Sequence, residues 1–209
     1  MTEQPSDHHA MARRARALYE AGRDPREVMR ECYGVDFPDE FYVVAEATPR
    51  LMFKYTVLPW GLARPLDRGG PPQTTAPLDT FERPVLDRDP DLIPLGMCLG
   101  VDEGIGAGLG GHFLCYRRSE LAAGRSTVVS IDFQADPDCP ITPRADSLLA
   151  ALHAHLTEDE IRMTQERHRT AGHSGGSTWD DEDLAAAHEF VAKIEELQRR
   201  LTVHGDGSS

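Results

Sequence analysis

Gly106, Gly108 and Gly111 stand in GxGxxG spacing within the run Gly104–Gly111, where five of eight residues are glycine. That spacing binds a pyrophosphate when a strand feeds a tight turn and a helix N-terminus then aims its free N–H groups at the anion. Here the residues that follow, HFLCYR, have the composition of a strand. The helix is missing from the pattern, so no cofactor is expected, and the run reads as a glycine-rich connection between two strands. His112 and Cys115 would face opposite sides of a strand, and His153 and His155 lie about 200° apart on a helix. Neither pair forms a metal claw, and no CxxC or HxxxH completes one, so no metal is expected. Cys98 and Cys115 sit in apolar runs, where a thiol is usually inert core. No HExxH is present, and the expectation is a protein without catalytic residues. Among the acidic clusters, Glu158-Asp159-Glu160 and Asp180-Asp181-Glu182-Asp183 fall at helix starts, where the dipole accounts for them. Asp102-Glu103 has no such local reason and is the better candidate for a partner contact.

Three β-type runs frame these residues: Leu92–Leu99, His112–Arg117 and Thr127–Phe133. Their short connections favour antiparallel neighbours, because a parallel crossover needs a dozen or more residues. The fold class expected is α+β, with N-terminal helices, a central, mainly antiparallel meander, and C-terminal helices. Before the meander come helices at Ala10–Glu20, after Asp24-Pro25-Arg26-Glu27, and from Phe37-Pro38-Asp39-Glu40-Phe41. Asp24 with Glu27 has the form of a capping box, and Gly34 suits a left-handed helix end. Leu51–Trp60 reads as a strand that ends at Pro59. Residues 61–90 contain six prolines and three glycines without a sustained period, and read as a mobile insertion. After the meander, residues 134–143 read as a loop. Asp146 caps a helix carrying Leu148, Leu149, Leu152 and Leu156, and Thr157 opens a further polar helix. Residues 178–201 form an amphipathic helix with Leu184, Ala187, Val191, Ile194 and Leu201 on its apolar side.

The organisation expected is a disordered lead over 1–9, a domain over 10–156 with the 61–90 insertion, a helical extension over 157–203 and a disordered tail over 204–209. The chain has 209 residues, 40% of them hydrophobic and 27% charged, and a net charge of −13. That charge argues against nucleic acid, whose binding rests on Lys and Arg. It fits a basic protein partner steered in by opposite charge. Four cysteines without CxxC spacing, no apolar leader and no long apolar run point to a cytoplasmic protein with reduced thiols and no membrane span.

Gly34-Val35-Asp36-Phe37-Pro38-Asp39-Glu40-Phe41 resembles the "Gly-hydrophobic-x-hydrophobic-Pro-x-x-hydrophobic" segment of the SUKH superfamily, which includes fungal cell-wall-assembly regulators and many bacterial immunity proteins. Leu92-Ile93-Pro94-Leu95-Gly96, Gly111–Tyr116 and Val128–Asp132 follow that family's strand order, and Asp146-Ser147-Leu148 through Leu156 resembles its closing helix. The likeness spans roughly residues 10–156. The 61–90 segment and the helices after 157 are additions to the pattern, and the family's Trp-centred strand after the first helices is missing, Trp60 standing at a different spacing. The resemblance implies a non-enzymatic binding domain that neutralises a toxin, for example a basic nuclease, by direct contact. On this reading Trp60, Asp102 and Glu103 are the candidate partner contacts. The alternatives are an adaptor that docks through its C-terminal amphipathic helix, and, third, a small enzyme using the Gly104–Gly111 loop.

Overall fold

The computed structural model describes residues 8–47, 55–72, 76–99, 111–132, 140–161 and 178–205. The chain is an α+β fold with helices at both ends of a five-stranded antiparallel sheet whose strands lie in sequence order. Three helices come first, α1 (His8–Glu20), α2 (Pro25–Tyr33) and α3 (Asp39–Glu46). The start of α2 is built as its sequence requires. Glu27 N–H donates to Asp24 and Asp24 N–H donates to Glu27, while Gly34 ends the helix at φ 75°. The left-handed backbone there is open to glycine and strained for most other residues.

The sheet consists of β1 (Tyr55–Thr56), β2 (Leu92–Leu99), β3 (Gly111–Arg117), β4 (Val128–Asp132) and β5 (Thr142–Ala145). The meander therefore lies where the sequence places it. Leu92 to Cys98 and Phe113 to Tyr116 are buried without alternation. Continuous burial of this kind means that both faces are covered, which explains the unbroken apolar runs. β5 carries Pro143 and Arg144 and is largely exposed, the chemistry of an edge strand that discourages further pairing.

Several sequence expectations are corrected. Leu58–Trp60 is not strand: among the described residues Tyr55–Thr56 pairs with β2, and the chain turns into α4 (Leu58–Leu62), with Pro59 in its first turn, while residues 51–54 lie outside the described residues. Proline suits that position because its missing N–H would have had no helical partner. Within 61–90 the described residues are ordered into a 3-10 turn (Leu66–Arg68) and α5 (Ala76–Arg88). Six prolines conceal this helix because one falls in its first turn and another, Pro84, lies inside it. Pro84 removes one backbone hydrogen bond, yet Glu82 and Val85 beside it are each only 2% exposed and anchor α5 under the domain. Finally, residues 142–145 form β5, and the N-cap of α7 (Leu148–Ala154) is Ser147 rather than Asp146.

A short α6 (Arg118–Ala122) follows β3, and α7 runs on into a π-helical turn (His155–Ile161). Thr157 does not open a new helix. Its hydroxyl donates to the His153 carbonyl at 2.7 Å inside this continuing turn. The last helix, α8 (Thr178–Gly205), packs on α3, α7 and the π turn, with Ile194 and Leu197 fully buried. Among the described residues no helix is long and apolar enough to cross a membrane.

Candidate functional site

Among the described residues two carboxylates, Glu40 and Glu82, are buried with hydrogen-bond partners. Glu40, 7% exposed, lies in the first turn of α3. Its Oε1 accepts from the Leu148 N–H at 2.7 Å and the Tyr116 hydroxyl at 3.2 Å, and its Oε2 accepts from the Leu149 N–H at 3.3 Å. The carboxylate thus satisfies two orphan donors at the start of α7, where the helix dipole also favours negative charge. Burial and the adjacent carboxylate hold the Tyr116 hydroxyl far above its usual range. Glu82 plays a similar part elsewhere. Its Oε1 accepts from the Leu58 N–H at 2.7 Å, at the head of α4, and its Oε2 meets His8 Nε2 at 2.9 Å. Sequence reasoning passed over both residues. The available signal was an acid set directly beside buried apolar positions.

Trp60 is a correction. It is 4% exposed, stacks on Phe41 with ring centroids 4.5 Å apart, and donates its indole N–H to the Leu95 carbonyl. That carbonyl is available because Pro94 lacks an N–H and the β2–β3 register slips between Pro94 and Gly96, leaving Leu95 as a bulge. The tryptophan is accordingly a core residue that closes the bulge, not a partner contact on the surface. It does border a cleft of about 410 Å³ that Tyr42, Arg64, Pro65 and Arg68 also line. Asp102, Glu103 and residues 104–110 lie outside the described residues. Gly111 opens β3 directly, so the glycine spacing leads into a strand and lacks the helix a dinucleotide needs.

The thiols divide into two kinds. Burial pushes the Cys115 thiol far up, and the Cys32 thiol from 9.0 up to about 11, so both are protonated and poorly nucleophilic at neutral pH. Cys98 is different because of its company. It stands opposite His112 in the β2–β3 register, and His155, the first residue of the π turn, reaches the same place. The Cys98 thiol and one ring nitrogen from each histidine all lie within 4.8 Å of one another. The two imidazoles meet edge to face at 5.1 Å between centroids. The pairs weighed from spacing along the chain are not the ones that meet here. His112 does not pair with Cys115, nor His155 with His153. Each turns instead to a residue distant in sequence.

No protein-family model, curated protein or solved structure matches the chain.

Proposed function

We propose that this chain is a non-enzymatic, cytoplasmic protein-binding domain that neutralises a basic toxin by direct contact. The observation that carries the reading is the convergence at Glu40. The Pro38-Asp39-Glu40-Phe41 turn, Tyr116 on β3 and the Ser147-Leu148-Leu149 helix start belong to three of the five stretches on which the resemblance to SUKH proteins rests. They meet at a single buried carboxylate. Short motifs that are separate in sequence but mutually required in space support one inherited design, as consistency across levels does in general. The net charge of −13 supports a partner of opposite sign, whose approach it would accelerate. The inert thiols of Cys32 and Cys115 fit a role without covalent chemistry.

The adaptor alternative needs a free apolar face on the last helix. Ile194 and Leu197 of that face are buried against the chain's own α3 and α7, so the observation favours self-packing. Co-expression with the products of the neighbouring genes tests the proposal: rescue of growth from a toxic neighbour is expected, and finding neither rescue nor a recoverable complex would refute it.

A further inference from the structure

Two strands and a helix turn, brought together from three distant parts of the sequence, present a thiol and two imidazoles to one point. We propose that Cys98, His112 and His155 form a binding site for a divalent transition metal of the zinc class. The site goes beyond the partner-binding reading and does not depend on it.

Geometry supports the assignment first. Zinc–sulfur bonds of about 2.3 Å and zinc–nitrogen bonds of about 2.0–2.1 Å in a tetrahedron require ligand atoms about 3.3–3.6 Å apart. The three donors lie within 4.8 Å of one another, so contraction by roughly 1 Å completes the set. Rotation of side chains supplies a movement of that size without disturbing the backbone. The positions are also fixed from outside the cluster. Cys98 and His112 are cross-strand partners in the hydrogen-bonded ladder. His155 sits where α7 widens into the π turn, a distortion of helices that recurs at functional sites.

Chemistry supports it second. Thiolate and imidazole together select zinc-like ions over magnesium or calcium, which take oxygen ligands. As the sulfur–metal bond forms, the Cys98 thiol passes its proton to solvent, and both imidazoles bind through a neutral ring nitrogen. A Cys–His nucleophile pair is the rival use of the same residues. It needs a thiol open to substrate, whereas Cys98 is 2% exposed and His155 8%. A metal bound by three protein ligands keeps one position for another donor.

The test uses the full-length chain, stripped with chelator and titrated with Co²⁺ and then Zn²⁺. One equivalent of Co²⁺ should bind with a thiolate-to-cobalt charge-transfer band, and Zn²⁺ should displace it. Saturating Zn²⁺ should raise Tm by roughly 5 °C. Cys98→Ser should abolish the band, and His155→Asn should weaken binding at least tenfold. Cys115→Ser should leave the band in place, because that residue is not among the three ligands. Variant folding is checked by comparing the metal-free forms, and the wild-type titration stands on its own if a variant fails to fold. The proposal is overturned if the wild type shows no charge-transfer band, if the band survives Cys98→Ser, or if the chain takes up copper while refusing zinc and cobalt.

Discussion

Glu40 is the residue on which the interior depends most. Its carboxylate accepts from two backbone N–H groups and one hydroxyl in a region closed to water. Glu40→Ala would leave all three donors buried and unpaired, and should cost about 3 kcal/mol in a denaturant titration. Tyr116→Phe removes a single donor and should cost about 1 kcal/mol. Equal effects for the two variants would contradict the clamp. Alkali supplies a second check at this scale. Burial raises the Cys32 thiol from 9.0 to about 11, with Arg14 opposing, and the Tyr42 hydroxyl from 10.0 to about 12, with Arg26 opposing. In both cases the unfolded chain loses its proton first, so the stabilisation is complete below the unfolded value and is lost as pH rises through the folded one. The urea midpoint should therefore fall between pH 9 and 12, and Cys32→Ala should remove the portion between 9 and 11. A midpoint that is flat over this interval would count against the burial of these groups.

The elements differ in how far the sequence revealed them. The capping box of α2, the left-handed Gly34 and the three meander strands were legible because each follows from local chemistry within a few residues. α5 was hidden by its prolines, and its anchors Glu82 and Val85 gain meaning only from what lies above them. β1 was overextended because aromatic and β-branched residues fit a helix in the core as well as a strand. The Cys98, His112 and His155 cluster was illegible for a different reason: its members are joined by strand register and helix packing, and neither can be read from sequence spacing. α8 was visible by its period, though not what it packs against. Ile194 and Leu197 are both fully buried, and exposing two such side chains costs roughly 3–6 kcal/mol. Removal of residues 178–209 should therefore lower the stability of the remaining chain by about that amount. Unchanged stability with loss of self-association would instead favour helix docking between molecules.

At the scale of the whole molecule, the central strands are covered on both faces, and the net charge of −13 is a feature available to a partner. Attraction between exposed charges is screened beyond about 8 Å at physiological ionic strength, so charge should act on encounter more than on the lifetime of the complex. The most direct measurement is the association of the purified chain with the proteins encoded by the genes on either side of its own, followed at low and at moderate salt. A stoichiometric complex is predicted, with an on-rate that falls severalfold as salt is added and a dissociation rate that changes little. Absence of a complex at either salt concentration, or chemical turnover of the toxin by this chain, would contradict the account.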